Sequence, residues 1–302
     1  MSTPSEALTV LVTGATGFIG RRLEPELVER GHTVRAMTRR PEKYDGPGEP
    51  VAGDVFDRAS LTDPLSGADV AVYLVHSLDD PEFEEKDADA ARTFAKAAEA
   101  CGVRQIVYLG GLGSDDDKLS PHLRSRREVE QLLGETGVPV TVLRAAIVVG
   151  AGGISWELTR QLVKNLPAMV VPRWVSTLTQ PIAVDDVTRY LAGVVGVPEA
   201  FGRTFEIGGP ERLTYLEMLQ VAAEVSGGHR VPIVKVPVLT PRLSSYWLAL
   251  VTDVDLTTGR NLIDSMGTEV VVTDDSITEL VPGDPVPYAE AVRRALEDHQ
   301  QD

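Results

Sequence analysis

Three glycines, Gly14, Gly17 and Gly20, directly follow an apolar run that extends from Leu8 to Val12. With this spacing, the first glycine permits a tight turn, the second lets backbone approach a ligand, and the third lets a helix pack closely. That helix would direct unpaired N–H groups and the positive end of its dipole at a phosphate group. The pattern therefore predicts a dinucleotide pyrophosphate site formed by Gly14, Thr16, Gly17, Phe18, Ile19 and Gly20.

The end of the next apolar run, Thr33–Thr38, indicates which dinucleotide the site prefers. A site for NAD usually has an acidic residue there, which binds the ribose 2′-hydroxyl. Here Thr38 is followed by Arg39 and Arg40, and two guanidinium groups suit the 2′-phosphate of NADP. We therefore expect Thr38, Arg39 and Arg40 to bind NADP, with NAD less favoured. The alternative is that one or both arginines are only solvated loop residues.

Asp54 and Val55 follow a third apolar run at 50–52. A carboxylate at this edge of a sheet could accept a hydrogen bond from the adenine amino group of the cofactor. Asp54 could instead cap the next short helix, a role that Asp57 could serve as well. Both interpretations stay open, and Asp54 and Val55 are candidate cofactor-binding residues.

Apolar runs and helical patterns alternate through the first half of the chain. The runs, each of a length that suits a strand or two, are 8–13, 33–38, 50–52, 69–75, 104–109 and 138–149. Between them apolar residues recur at helical spacing, as in Ala88, Ala91, Phe94, Ala95 and Ala98. Alternation of this kind predicts an α/β fold with a doubly wound parallel sheet, the Rossmann arrangement.

The alternation changes at the Gly-Ala-Gly-Gly segment 150–153. We expect an NAD(P)-binding Rossmann domain over residues 1–150. Residues 151–302 are expected to form a mixed segment that completes the sheet and builds a smaller C-terminal substrate lobe. Within it, Asp185 is expected to cap a helix, and Thr214 to Glu217 resembles a capping box. One group of large apolar residues in this segment could cover an apolar substrate or form the core of the lobe, which is commoner. The group consists of Tyr246, Trp247 and Leu248 together with Trp156 and Trp174.

The composition restricts the partners of the chain. A net charge of −16 disfavours nucleic acid and anionic membrane surfaces, because both are polyanionic. Cys101 is the single cysteine, which excludes an internal disulfide framework, and no signal peptide or membrane-spanning pattern is visible. The run Asp115 to Asp117 is better interpreted as a solvated loop than as a metal site. We expect a cytoplasmic protein with a small-molecule substrate and no metal.

These motifs together resemble the short-chain dehydrogenase/reductase superfamily, and in particular its atypical, NmrA-like branch. That branch includes relatives of the accessory nucleotide-binding subunit of respiratory complex I. The similar segments are Thr13–Gly20, Gly53–Val55, Pro181–Val187 and Phe205–Pro210. The resemblance implies a nucleotide-binding fold with a smaller substrate lobe, and it places along the cofactor Leu74, Val75, His76, Leu109, Gly110 and Gly111.

The chain departs from this superfamily at the catalytic positions. Active members carry a Ser or Thr after the fifth strand, then a Tyr and a Lys four positions apart on the next helix. Here glycine stands at the first position, and the match puts His122 at the Tyr position and Arg126 at the Lys position. Arg126 can hydrogen-bond a ribose but cannot share a proton near neutral pH. His122 could donate a proton, because imidazole titrates near neutrality, or could be a surface residue beside Pro121. His76 is a second candidate acid.

Two functions remain. One is an NADP(H)-dependent oxidoreductase that acts on a small, apolar carbonyl, enone or quinone-like compound, with His122 and Arg126 as the candidate catalytic residues. The other is a non-catalytic NAD(P)-binding redox sensor or assembly factor, which the missing Ser, Tyr and Lys favour. We favour the enzyme, because the cofactor groove and the second lobe are intact. A monomer is favoured over a dimer, because the 121–134 helix through which superfamily dimers often pair is heavily charged.

Overall fold

Strands and helices alternate along the chain, for which the computed structural model describes residues 7–77, 80–113, 119–165, 169–171, 173–227, 233–235, 261 and 264–299. The strands are β1 (Thr9–Thr13), β2 (Thr33–Thr38), β3 (Glu49–Ala52), β4 (Val70–Tyr73), β5 (Gln105–Gly111), β6 (Val140–Ala145), β7 (Val148–Val149), β8 (Met169–Val171), β9 (Leu178–Thr179), β10 (Ile182–Ala183), β11 (Thr204–Ile207), β12 (Leu213–Thr214) and β13 (Ile233–Lys235). The helices are α1 (Gly20–Glu29), α2 (Thr62–Leu65), α3 (Phe83–Ala100), α4 (Pro121–Leu133), α5 (Ile154–Asn165), α6 (Val184–Gly193), α7 (Tyr215–Gly227), α8 (Ile277–Leu280) and α9 (Tyr288–His299).

Seven of these strands form one parallel sheet in the order β3-β2-β1-β4-β5-β6-β11. The predicted α/β, doubly wound Rossmann fold is confirmed. Each apolar run before residue 110 supplies one strand. The run 138–149 divides into β6 and β7, because Val148 and Val149 pair with Ile182 and Ala183 of β10 outside the main sheet.

The sheet is buried on both faces, and β1 illustrates why its sequence is apolar throughout. Val10 and Val12 belong to one hydrophobic core, whereas Leu11 between them belongs to another. Side chains alternate across a strand, so a sheet with helices on both faces needs apolar residues at successive positions. The first core packs under α1 and α6, and the second under α3 and α4.

The winding of the chain reverses at β1, which lies between β2 and β4. The Thr13 side chain ties β1 to β4 at this point: its hydroxyl donates to the Val72 carbonyl (3.2 Å) and accepts from Leu74 N–H (2.9 Å). The segments that leave β1 and β4 therefore diverge, and a crevice opens between them at the carboxyl edge of the sheet.

A third core lies in the second half of the chain, where Trp156 packs with Met218, Tyr288 and Val292. Trp156 is 1% exposed, so it belongs to the core of this half and does not cover the cleft. The side chain of Trp174 and the whole of Tyr246, Trp247 and Leu248 lie outside the described residues. β11, the edge strand of the main sheet, also comes from this half, and the division at residue 150 stays a prediction.

The two predicted helix starts have different outcomes. The capping box is confirmed: Thr214 N–H donates to Glu217 Oε2 (2.7 Å), and Glu217 N–H donates to Thr214 Oγ1 (3.2 Å). The prediction that Asp185 caps α6 is wrong, since the cap position is Ala183, which has extended backbone and no side-chain cap. Asp185 lies in the first turn of α6, where its negative charge interacts favourably with the positive end of the helix dipole. Its carboxylate also accepts a hydrogen bond from Arg294 (2.8 Å).

We predict that Gly20→Ala destabilises the fold and weakens dinucleotide binding. A Cβ at this position would lie 2.4 Å from the Gly14 carbonyl oxygen and 2.7 Å from that of Ala15, and backbone atoms cannot yield as a side chain would. The expected loss is about 1–3 kcal/mol of unfolding free energy, measured by denaturant unfolding. Gly227→Ala is the control, because a Cβ there meets nothing within 4 Å. Equal stability of the two variants would contradict the prediction.

Candidate cofactor and substrate cleft

A cleft of about 1050 Å³ opens at the carboxyl edge of the sheet, where β1 and β4 diverge. It is lined by the segments that follow β1, β2, β3 and β4, by the ends of β5 and β6, and by the first residues of α5. In open parallel sheets ligands bind at this switch point. The fold therefore brings to one place the residues that the sequence distributes over more than 140 positions.

The glycine turn forms one wall of the cleft. Gly14 has a left-handed φ of 63°, and Gly17 N–H donates to its carbonyl (2.8 Å), which closes the turn. A Cβ on Gly17 would lie 3.0 Å from that same carbonyl oxygen, so the turn offers bare backbone to a ligand. All of the residues predicted here line the cleft, namely Gly14, Thr16, Gly17, Phe18, Ile19 and Gly20.

Phe18 and Arg22 connect this turn to the far side of the cleft. The Arg22 guanidinium lies 4.9 Å from the centre of the Phe18 ring and donates to the Phe18 carbonyl (3.0 Å). It also donates to the Ala151 carbonyl (2.8 Å), in the turn that leads into α5. The glycine turn and the start of α5 are therefore held together as opposite walls of one cleft.

The two arginines after β2 are placed differently. Thr38 and Arg39 line the cleft, whereas Arg40 is exposed and does not contribute to its lining. A short 3-10 segment, Pro41–Lys43, begins directly after Arg40. Arg39 is therefore the one of the two arginines that lines the cleft, and the binding of a 2′-phosphate by Arg39 and Arg40 stays a prediction.

Asp54 and Val55 line the cleft as predicted for cofactor-binding candidates. The capping alternative is resolved in favour of Asp57, whose side chain accepts from Ala59 N–H at the start of a 3-10 segment. Asp54 instead accepts from Phe56 N–H (3.0 Å) and shapes the turn after β3. Recognition of adenine by Asp54 stays a prediction.

His122 and Arg126 lie one turn apart on α4 and both border the cleft, together with His76 after β4. The interpretation of His122 as a plain surface residue is therefore wrong. Burial, followed by the charge of Arg126, lowers the pKa of His122 to about 3. The Arg126 charge, followed by burial and His122, lowers the pKa of His76 well below its usual value, although the accessible surface of His76 makes it an exposed residue, so the Arg126 charge is the firmer of these causes.

Both imidazoles are therefore neutral near pH 7. The expectation that His122 titrates near neutrality is wrong, because a guanidinium and partial burial oppose the imidazolium form. A neutral imidazole can donate a hydrogen bond to a substrate oxygen, but it holds no readily released proton. Whether His122 and Arg126 are catalytic stays a prediction.

Gly111 lies where the end of β5 packs against α4. A Cβ on Gly111 would lie 2.8 Å from Leu123 Cδ2 and 3.7 Å from Arg126 Cγ, so a larger residue there would require the flexible Leu123 side chain to shift. Leu74, Val75, His76, Leu109, Gly110 and Gly111 all line the cleft, where the resemblance to the superfamily had placed them.

Further residues line the cleft that the sequence analysis did not select as site residues: Met37, Gly53, Phe56, Ser77, Asp80, Pro81, Lys86, Ala145, Ala146, Val148, Gly153, Ile154 and Ser155. Phe56 and Ile154 are 49% and 43% exposed, unusual values for large apolar side chains. The glycine-rich break at 150–153, which follows a predicted strand, could have indicated Ile154 as a site residue.

The expectation for residues 115–117 lies outside the described residues. Over the described ranges, no group of three or more His, Cys, Asp or Glu side chains is arranged to hold a metal ion. The helices found there include none with the length and apolarity needed to cross a membrane.

Fold and cleft together define a dinucleotide-binding protein of the Rossmann class. Residues 14–174 match the NAD(P)H-binding family, and the chain belongs to that family. The sequence-based assignment to the atypical, NmrA-like short-chain dehydrogenase/reductases is thereby confirmed. A cofactor of the NAD(P)(H) type is part of this assignment, and the choice between NADP and NAD is taken up below.

Among curated proteins, the chain is similar to the (4-alkanoyl-5-oxo-2,5-dihydrofuran-3-yl)methyl phosphate reductase of Streptomyces griseus. The two are 33% identical over 230 residues, which cover 72% of this chain and 74% of the reductase. The chain is also similar to the photosystem II assembly factor Ycf39 of Trieres chinensis, at 22% identity over 244 residues, or 79% of this chain and 75% of that protein.

Solved structures show the same fold at lower identity. The NADPH complex of the quinone oxidoreductase QOR2 from Escherichia coli has a TM-score of 0.78 at 19% identity. The alignment covers 97% of this chain and 100% of the QOR2 chain. The NADP(H) complex of the Citrobacter triphenylmethane reductase has a TM-score of 0.76 at 20% identity. The alignment covers 95% of this chain and 99% of the reductase chain.

We predict that Arg39→Ala weakens NADPH binding and leaves NADH binding unchanged, because only NADPH carries the 2′-phosphate. Arg39 is exposed, so the expected cost is about 1.5 kcal/mol, or roughly tenfold in Kd, at the lower end for charged hydrogen bonds. Fluorescence titration with both cofactors measures it. Arg40→Ala is the matched control and should bind both like the parent. An equal loss for NADPH and NADH in Arg39→Ala would exclude the assigned contact.

We also predict that His122 makes the cofactor-free protein sensitive to acid. Its pKa is about 3 in the folded chain and near 6.5 when unfolded, so the unfolded state takes up the proton first as pH falls below 6.5. From pH 7 to pH 5 the parent should lose about 2 kcal/mol more unfolding free energy than His122→Phe. Urea unfolding at both pH values tests this, with the exposed His299→Phe as control. Parallel losses in parent and His122→Phe would contradict it.

Proposed function

We propose that the chain is an NADP(H)-dependent reductase that transfers hydride to a small, apolar, conjugated carbonyl compound such as an enone or a quinone. One observation carries the proposal: a single cleft joins the glycine turn to a second, apolar region beyond the residues that a dinucleotide needs. Its volume of about 1050 Å³ is at the top of the roughly 300–1,000 Å³ range of small-molecule sites. A cofactor and a second small molecule could therefore occupy it together.

The apolar region supports an apolar substrate. It is formed by Ala145 and Ala146 at the end of β6, by Val148, and by Ile154 at the start of α5. Ile154 directs a large side chain into solvent, which costs free energy unless a ligand covers it. An apolar acceptor that packs on Ile154 would remove this surface from water.

The chain has residues that fit the cofactor. The turn from Gly14 to Gly20 presents bare backbone and the start of α1 to a pyrophosphate, and a Cβ at Gly17 or Gly20 would crowd it. Arg39 lines the cleft directly after β2, from where a guanidinium could bind a 2′-phosphate, and this supports the proposal of NADP over NAD. When bound, NADPH supplies the hydride, and the protein's part is to orient both molecules and stabilise charge.

A second function is favoured by a different observation. Among the described residues that line the cleft, none forms the superfamily arrangement of Ser, Tyr and Lys, and the lowered pKa values of His76 and His122 keep both imidazoles neutral. Relatives named as photosystem II assembly factors match three quarters or more of this chain. A non-catalytic NAD(P)-binding sensor or assembly factor is therefore the alternative to the reductase.

We predict that the purified protein consumes NADPH when offered a quinone or an enone, measured by the loss of NADPH absorbance. Ile154→Asp should lower kcat/KM for the apolar acceptor about tenfold, because it places a charge where the acceptor packs, and should leave NADPH affinity unchanged. Asp is tolerated at the first residue of a helix, so α5 should stay folded.

The control is Val28→Asp, a substitution of an equally exposed apolar residue outside the cleft, 41% against 43% exposed. It should retain the parent's activity. If NADPH binds tightly but no acceptor in a panel of quinones, enones and aldehydes is reduced, the sensor or assembly function is supported instead.

A further inference from the structure

Three arginines follow one another closely on α4, and they differ in their partners. Arg124 donates to Glu84 Oε1 (2.8 Å) at the surface. Arg127 pairs with Glu130 (3.5 Å) away from the cleft opening. Arg126, which lies between them and lines the cleft, forms no ion pair with any described residue.

The Arg126 side chain lines the cleft and also hydrogen-bonds the buried Tyr108, a neutral partner that leaves the positive charge uncompensated. Gly111 packs against its aliphatic stem, which limits hydration of that side. The neighbouring His76 and His122 are neutral and supply no counter-charge. Of the other charged groups that line the cleft, Asp80 pairs with Lys86. A partly desolvated guanidinium without a carboxylate partner interacts strongly with any negative charge that enters or forms beside it.

We propose that Arg126 stabilises the negative charge that appears on the substrate oxygen as hydride arrives, and that it thereby determines which acceptors the cleft reduces. This rests on the reductase function proposed above. The acceptors selected are those whose reduced form is a stable anion, namely quinones and enones in which a second carbonyl shares the charge. Isolated aldehydes and ketones, and acceptors that are themselves cations, are disfavoured.

The chemistry balances without a protein acid. In an enone, the C–H bond of the dihydronicotinamide breaks, and its electron pair forms a new C–H bond at the β-carbon. The electron pair of the C=C bond would then form a double bond to the carbonyl carbon and the C=O pair would move onto the oxygen, so that an enolate forms beside Arg126 while NADPH is oxidised to NADP⁺. The enolate then takes its proton from water. An isolated ketone would instead form a strongly basic alkoxide, which needs a proton donor within the cleft.

Arg126 could also hydrogen-bond the cofactor ribose, as its match to the superfamily lysine implies. The two roles predict different measurements. A ribose contact contributes to NADPH affinity and affects every acceptor equally. Stabilisation of the developing oxyanion lowers kcat when removed, leaves the Kd of NADPH nearly unchanged, and affects acceptors according to the charge of their product.

The test compares Arg126→Gln, Arg126→Lys and the control Arg124→Gln with the parent. For a quinone, Arg126→Gln should lower kcat about 100-fold or more, the size of effect seen when one oxyanion donor is removed. Arg126→Lys should recover part of this loss, and Arg124→Gln should behave like the parent. The Kd of NADPH should change less than about threefold in all of them. The ratio of activity on a cationic triphenylmethane dye to activity on the quinone should rise in Arg126→Gln.

A second readout needs no turnover. The parent with NADP⁺ bound should bind 4-nitrophenol as its anion, which is distinguished from the neutral form by absorbance, and Arg126→Gln should lose this preference. Undiminished quinone reduction by Arg126→Gln, or a loss confined to NADPH affinity, would overturn the role of Arg126 while the reductase function stands. Failure of the parent to reduce any acceptor would overturn the reductase function, and this inference with it.

Discussion

The cleft depends on one topological constraint, the position of β1 between β2 and β4. Because β1 pairs with both, the segments that leave β1 and β4 must diverge, and Thr13 fixes that point by hydrogen bonds across the two strands. The close approach of Gly20 to the backbone of Gly14 and Ala15 then directs the start of α1 at the opening. The predicted pyrophosphate site lies at this point, because the glycine turn brings bare backbone and the start of α1 to the opening of the cleft.

The electrostatics of the cleft depend on burial and on Arg126, the residue that the resemblance to the superfamily matched to its lysine. A guanidinium there keeps its charge at all ordinary pH values, whereas a lysine can exchange a proton. Its positive charge, together with burial, holds the neighbouring imidazoles neutral. The arrangement therefore suits charge stabilisation better than proton donation, and we infer that the substrate must accept hydride without a protein acid.

The relatives of the chain include proteins named as reductases and proteins named as assembly factors, on one fold. A shared Rossmann fold does not decide between these functions, because function depends on the side chains at the site. In this chain the relevant side chains are Ile154, whose exposed apolar surface fits a substrate, and Arg126, whose charge fits an anionic product.

The sequence by itself determined the fold class and the cofactor-binding wall, because both depend on local patterns. The spacing of Gly14, Gly17 and Gly20 and the alternation of apolar runs with helical segments require only neighbouring residues to be interpreted. Only the tertiary structure decided that Arg39 lines the cleft and that the adjacent Arg40 does not, because this depends on how the backbone leaves β2 and enters the 3-10 segment Pro41–Lys43. It also decided the protonation of His122, because an imidazole pKa depends on burial and nearby charge, which sequence spacing does not reveal.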